Sequence, residues 1–145
     1  MHFDHISSAI RETGTPAEML DGKQRQALII VLLERLGVNV TTRAPWDKRT
    51  AHKDRAASEG RQMLGGWRLI SGYVGANTCL LFLEGAREIW KFRNGSDLLR
   101  VLSDCPPLEF YVCDQDASYL LCSNHHDFVI GWGVALSWVQ RLGGT

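Results

Sequence analysis

The sequence has no excess of either charge, no long apolar run and no apolar leader. Its 16 Lys and Arg residues match 16 Asp and Glu residues, so the formal net charge is zero. A neutral chain argues against a polycation that wraps nucleic acid. The longest apolar run, Ala27–Leu33, is too short to cross a bilayer. Residues 1–10 lack an apolar core, which predicts no signal peptide and favours a cytoplasmic location.

Cysteine is scarce as well, with four residues in the chain. Cys79, Cys113 and Cys122 lie in strand-like apolar runs, where a free thiol behaves as a small hydrophobic group. Without a secretion signal, this placement predicts reduced thiols rather than disulfides. Cys122 and His125 have the spacing of half a zinc site, but no second half follows. No motif predicts a metal or a cofactor.

Apolar residues are plentiful, because hydrophobic residues make up 45% of the chain and five Trp and five Phe are among them. Such a composition excludes disorder as the main state. We predict a single α+β domain over residues 1–145, with a mainly antiparallel sheet of five to six strands. Residues 1–40 form its helical N-terminal part and residues 67–145 its sheet part. A C-terminal helix completes the predicted fold.

The N-terminal third carries two signals for the start of a helix. Thr15–Glu18 has the pattern of a capping box with Pro at the first helical position. A second start at Asp21 leads to a glycine terminator at Gly37. The two starts predict either one kinked helix or two short helices. Residues 41–66 are open to two interpretations, an exposed helix capped by Asp47 or a long loop.

The remaining chain predicts strands joined by short turns, which favours an antiparallel arrangement. Asn94 is the predicted cap of a short helix between the third and fourth strands, and Pro106 ends that segment. The predicted strands are Trp67–Val74, Asn77–Leu83, Glu88–Phe92, Glu109–Cys113, Tyr119–Ser123 and Phe128–Ile130.

The most conspicuous polar cluster is Asn124-His125-His126-Asp127, which lies between two apolar runs. A His pair beside a carboxylate can supply a general acid and base, so His125, His126 and Asp127 are candidate catalytic residues. The same residue types are typical of a polar hairpin turn. A contact with a partner is a third interpretation. The sequence leaves all three open.

The neutral total conceals a separation of charge along the chain. Residues 1–100 carry 15 basic and 11 acidic residues, whereas residues 101–145 carry one basic and five acidic residues. Carboxylates with interspersed tyrosines suit docking onto a basic protein surface. The candidate partner-binding residues are Asp104, Glu109, Tyr111, Asp114, Asp116, Tyr119, His125 and His126.

The basic segment 41–68 supports a different interpretation. It combines Arg and Lys with Trp46 and Trp67, and interleaved basic and aromatic residues can bind single-stranded nucleic acid. Asp47, Asp54 and other acidic residues dilute that charge, so nucleic-acid binding is the less favoured alternative.

The C-terminal part resembles a group of small bacterial proteins whose function is unknown. The resemblance rests on Glu109-Phe110-Tyr111-Val112, on Tyr119–Asp127 and on Ile130-Gly131, an EFYV…YLLC-NHHD-x-x-IG signature. That group implies no activity. By size and class alone it is similar to immunity proteins, which occlude the active site of a bacterial toxin. The leading hypothesis is therefore a bacterial cytosolic protein-binding protein of the immunity or antitoxin kind, and the alternative is a small hydrolase or nuclease.

Overall fold

A computed structural model describes residues 2–46 and 58–142, with side chains from residue 5 onward. The helices are α1 (His2–Thr13), α2 (Gly22–Leu36), α3 (Trp67–Val74), α4 (Gly95–Ser103) and α5 (Leu136–Gln140). The strands are β1 (Glu18–Met19), β2 (Ser58–Gln62), β3 (Cys79–Phe82), β4 (Ile89–Phe92), β5 (Phe110–Cys113), β6 (Tyr119–Ser123) and β7 (Phe128–Gly133).

The strands form one antiparallel sheet in the order β1-β4-β3-β5-β6-β7-β2, which confirms the α+β class. The described residues contain seven strands rather than the five to six that we predicted. The two unpredicted strands, β1 and β2, are the edges of the sheet. β1 has two residues and β2 reads Ser-Glu-Gly-Arg-Gln, so neither carries an apolar alternation. β1 also places a strand in the N-terminal part that was predicted to be helical.

Two local predictions were wrong. Trp67–Val74 is helix α3 and not a strand, because the buried residues Ile70 and Val74 recur at helical spacing. Thr15–Glu18 does not open a helix, since Glu18 pairs with Lys91 of β4. The capping box lies at Asp21, whose carboxylate accepts from the Gln24 amide at 2.8 Å.

Other predicted boundaries are confirmed by the backbone. Helix α2 begins after Asp21 and ends at Gly37, whose φ of 71° is left-handed. Asn94 caps α4 by accepting a hydrogen bond from the Asp97 amide at 2.8 Å. β5, β6 and β7 match the three predicted C-terminal strands within a few residues at each end. In the 41–66 segment, residues 58–62 are strand β2 and residues 47–57 lie outside the described part.

The sheet is buried on both faces. Helices α1, α3, α4 and α5 cover one face through residues such as Ile70 and Val101, which pack on Leu81 and Val112. Helix α2 covers the other face, and its Leu32 belongs to the second apolar cluster. Because both faces need apolar side chains, the central strands read as continuous apolar runs rather than as alternating ones.

Strand β6 joins two turns at opposite ends of the sheet. The β5–β6 turn, residues 114–118, precedes it, and the β6–β7 turn, residues 124–127, follows it. β6 has five residues. At about 3.3 Å per residue, the two turns lie about 16 Å apart. The acidic and histidine-containing parts of the C-terminal segment are therefore separated in space.

Candidate functional site

The β6–β7 turn is organised by Asn124. The Oδ1 atom of Asn124 accepts hydrogen bonds from the backbone amides of His126 at 2.9 Å and Phe128 at 3.0 Å. The Asp127 amide donates to the Asn124 carbonyl, and Asp127 has a φ of 62°. This geometry confirms the polar hairpin turn. His125 and His126 lie at its tip, and both are exposed.

Glu109 connects this turn to the rest of the molecule. Its Oε1 atom lies 2.8 Å from Nδ1 of His125 and accepts the His125 amide at 3.2 Å. Its Oε2 atom accepts from Nε1 of Trp46 at 2.9 Å and from the Tyr111 hydroxyl at 3.0 Å. The Glu109 side chain is 13% exposed, so one carboxylate with little access to water serves four donors.

The donors of Glu109 are themselves held in place. Tyr111 is 1% exposed, and burial, with smaller contributions from Cys122 and Glu109, raises the pKa of its hydroxyl far above the ordinary value. Tyr111 therefore stays protonated and donates. Trp46 packs edge-on against both imidazoles of the turn, with ring centroids 5.9 Å from each. Glu109, Asn124 and Trp46 thus hold the two histidines of the turn in a fixed orientation.

Two cavities flank the turn, and His125 borders both. The smaller, of about 470 Å³, lies between α3, the segment after α4 and the turn, and Arg68 and Asn124 border it. The larger, of about 860 Å³, extends along residues 84–88 and is bordered by Arg87 and Glu109. We call the smaller one the Asn124 cavity.

The acidic candidates do not form one surface. Glu109 lies with His125, His126 and Asp127 at the β6–β7 end, whereas Asp114 and Asp116 lie in the β5–β6 turn at the other end. Asp104 is exposed at the end of α4, five positions before Glu109 along the chain. The expectation of a continuous acidic surface was wrong, because consecutive turns of antiparallel strands lie at opposite ends of those strands.

Two of the predicted contact residues are buried. Tyr111 is 1% and Tyr119 is 8% exposed. Both belong to strands that are covered on both faces, and Tyr119 packs against Tyr73 with ring centroids 5.0 Å apart. Neither tyrosine contributes to an exposed docking face, so that part of the prediction was wrong.

The Asp114 carboxylate is hydrogen-bonded within its own turn. Its Oδ1 accepts the Ser118 amide at 2.8 Å, and its Oδ2 accepts from the Ser118 hydroxyl. A distant element contacts this turn at a backbone carbonyl. The Arg35 side chain of α2 donates to the Asp116 carbonyl at 3.0 Å. The β5–β6 turn therefore has its own local bonds but no carboxylate shared with a histidine.

The four cysteines are free thiols. Burial raises the pKa of Cys105 to about 11, with a smaller contribution from Asp104, and its thiol donates to the Val101 carbonyl. Cys122 belongs to the buried apolar cluster beneath α2, away from water. Among residues 5–46 and 58–142, no group of three His, Cys, Asp or Glu side chains converges on a metal position.

The aromatic residues of the basic segment are packed within the protein. Trp46 donates to Glu109, and Trp67 is half-buried against the core with the Arg68 guanidinium 5.2 Å from its ring centroid. Lys48, Arg49, Lys53 and Arg55 of that segment lie outside the described residues. The two tryptophans do not form an open stacking platform.

Sequence reasoning assigned Glu109 to a partner contact and missed its bond to His125. The strand register contained the signal. Phe110 pairs with Ser123 in the β5–β6 ladder, so Glu109 must lie next to Asn124 and His125. Nothing in the sequence indicated that Trp46 approaches the same carboxylate, because the two residues are 63 positions apart.

No protein-family model and no curated protein matches this chain. In the described part of the chain, none of the helices has the length and apolar character that a membrane span requires.

Proposed function

We propose that this chain is a protein-binding factor of the immunity or antitoxin kind, which neutralises a bacterial toxin by occluding it. The observation that carries the proposal is the β6–β7 turn, where exposed His125, His126 and Asp127 are held in one geometry by Asn124, Glu109 and Trp46. A binding surface that is already ordered loses little conformational entropy when a partner docks.

The chemistry of the turn suits a partner with basic and hydrogen-bonding groups. Asp127 at the turn is an exposed carboxylate. His126 adds an imidazole whose flat face and ring nitrogens can contact a partner without large loss of side-chain freedom. A toxin active site that binds phosphate or nucleic acid carries the complementary positive charge.

The proposal predicts a toxin-like reading frame beside this gene, and coexpression with that frame is the test. Wild-type chain should restore growth and bind the purified toxin domain in calorimetry. Asp127→Lys combined with His126→Ala should weaken binding by more than tenfold, because both groups lie at the tip. Asp114→Lys combined with Asp116→Lys is the matched control at the other end of β6 and should bind as wild type.

Two outcomes would contradict the proposal. One is the absence of such a neighbour or of growth protection by the wild-type chain. The other is binding that the far-end variant weakens and the tip variant leaves unchanged, which would move the contact to the β5–β6 turn.

A second candidate is an enzyme that uses His125 with Glu109. The carboxylate at 2.8 Å from Nδ1 orients the imidazole, and no described residue hydrogen-bonds Nε2, which leaves that atom available for proton transfer. The enzyme hypothesis requires a further carboxylate or histidine beside the turn and an adjacent concave space, and Glu109 and the Asn124 cavity meet both requirements.

Chromogenic esters, phosphodiesters and RNA are suitable substrates for testing the enzyme. A rate that falls at least a hundredfold in His125→Ala but less than threefold in His126→Ala would favour it. A wild-type chain without turnover on any of the three classes would exclude hydrolysis of these substrates.

A further inference from the structure

The Asn124 cavity has the size and wall composition of a small-molecule site. Its volume of about 470 Å³ falls within the usual range of roughly 300–1,000 Å³ for such sites. Much of its wall is apolar and includes Trp67, Leu108 and Phe110. Pro106 and Pro107 form another part of the wall. An apolar body would therefore be shielded from water there.

The side-chain amide nitrogen of Asn124, a residue that borders this cavity, has no hydrogen-bond partner among the described residues. Asn124 is 6% exposed, and its Oδ1 already accepts two backbone amides of the turn. Its Nδ2 makes no hydrogen bond with any described residue. Every fully buried side-chain nitrogen and oxygen in the described part of the chain is satisfied, so Nδ2 must reach open space. Asn124 is one of the residues that line this cavity.

Positive charge lies on the same wall. Arg68 borders the cavity in the first turn of α3, and its guanidinium lies over the Trp67 ring. Gly66 at the N-cap provides no side-chain cap, and the Arg68 and Leu69 amides of the first turn donate to the Gly65 and Gly66 carbonyls. The helix dipole adds a partial positive charge at this end of α3. Asp127 also borders the cavity, and its negative charge opposes the positive charge of Arg68 and of the helix start.

We infer that the Asn124 cavity binds a small organic anion that carries a carboxylate or phosphate group on an apolar body. The anionic group accepts from Nδ2 of Asn124 and from Arg68. The apolar body packs on Trp67 and Phe110. This inference does not depend on the proposed toxin partner, since it concerns a small-molecule occupant, although His125 and Asp127 belong to both surfaces.

Three probes separate the parts of this inference in NMR titrations of the full chain. Phenylacetate and phenyl phosphate present the two anionic groups on the same apolar body, and inorganic phosphate lacks the body. The Trp67 indole and Asn124 side-chain amide signals should shift with a saturating dependence, with a dissociation constant of about 1 mM or tighter for one aromatic anion. Inorganic phosphate should bind at least tenfold more weakly.

Two substitutions test the donors. Asn124→Asp keeps an oxygen for the His126 and Phe128 amides but replaces the N–H donors with a carboxylate oxygen, and Arg68→Gln removes the guanidinium. Each should weaken the aromatic anion by about tenfold or more, because a charge-assisted hydrogen bond is lost. Asp127→Asn should tighten binding. Arg35→Gln, at the far end of β6, is the control and should bind as wild type.

A second readout covers the case in which Asn124→Asp fails to fold. Cys105 borders the same cavity, so bound anion should slow its alkylation by iodoacetamide in the wild type and not in Arg68→Gln. The inference is overturned if no probe gives saturating shifts, if inorganic phosphate binds as tightly as phenylacetate and phenyl phosphate, or if Arg68→Gln binds as wild type.

Discussion

The two turns that flank β6 use the same local chemistry and have different tertiary surroundings. In each turn a side-chain oxygen accepts a hydrogen bond from a backbone amide: the Asn124 oxygen accepts from His126 at one end, and the Asp114 oxygen accepts from Ser118 at the other. Each also contains a non-glycine residue at positive φ, Asp127 at 62° and Ala117 at 53°. At the β6–β7 end, however, Glu109 and Trp46 reach the turn from distant elements.

This difference shows that turn sequence alone does not create a candidate site. Asp114 bonds to Ser118, four residues away, through both of its carboxylate oxygens. Glu109 instead bonds to groups 2, 16 and 63 positions away along the chain. Long-range side-chain bonds of this kind hold His125 beside two cavities, whereas the β5–β6 turn receives a long-range bond at a backbone carbonyl, from Arg35 to Asp116.

The largest effect is expected from removal of the shared carboxylate. Glu109→Ala leaves the buried Tyr111 hydroxyl and the Trp46 indole without an acceptor, which should lower the free energy of unfolding by about 3 kcal/mol. Asp114→Ala should cost about 1 kcal/mol, because its lost bonds are local and partly exposed. Urea denaturation of both variants measures the comparison, and an equal loss in both would remove the distinction between the two ends.

Cysteine reactivity should also differ between the ends. The raised pKa of Cys105, about 11, leaves it protonated at pH 8, so iodoacetamide should alkylate it about a hundredfold more slowly than an unperturbed thiol. The rate should rise as pH rises toward that pKa, since only the thiolate reacts. Cys113, which is fully buried next to the β5–β6 turn, should react only on unfolding. Mass spectrometry of labelled peptides measures the order of alkylation, and labelling of Cys113 before Cys105 would contradict the prediction.

A smaller effect is expected when the indole donor alone is removed. Trp46→Phe retains an aromatic ring against His125 and His126 but loses the hydrogen bond to Glu109, at a cost of about 1 kcal/mol. A double-mutant cycle with Glu109→Gln should give a coupling energy of about 1 kcal/mol. A coupling energy near zero would mean that Trp46 contributes by packing alone.

The smallest effects concern the two residues at positive φ. Ala117→Gly relieves left-handed strain of about 1 kcal/mol but loses a buried methyl group of similar value. Asp127→Gly relieves less strain, because Asp tolerates this conformation better than Ala. Both variants should therefore change the free energy of unfolding by less than about 0.5 kcal/mol. Thermal melting measures this change for each variant. A larger change in one variant would show that the two turn backbones differ in strain despite their similar φ values.

Short-range signals account for most of the elements that were predicted correctly. Asp21 with Gln24, and Gly37, bound α2 through interactions within a few residues. Trp67–Val74 was misassigned because eight residues with several large apolar side chains fit the period of a strand as well as that of a helix. Packing against α4 decides between the two structures. The edge strands β1 and β2 have no periodic signal of their own, since pairing to β4 and β7 defines them.

The sequence by itself determined the α+β class, the caps of α2 and α4 and the polar turn at residues 124–127, since each depends on residues close together in the chain. Tertiary structure alone decided which carboxylate meets His125, that Tyr111 and Tyr119 are buried, and that the acidic residues separate. The reason is the antiparallel pairing of β5, β6 and β7. That pairing brings Glu109 next to His125 and sends Asp114 about 16 Å away along the same strand.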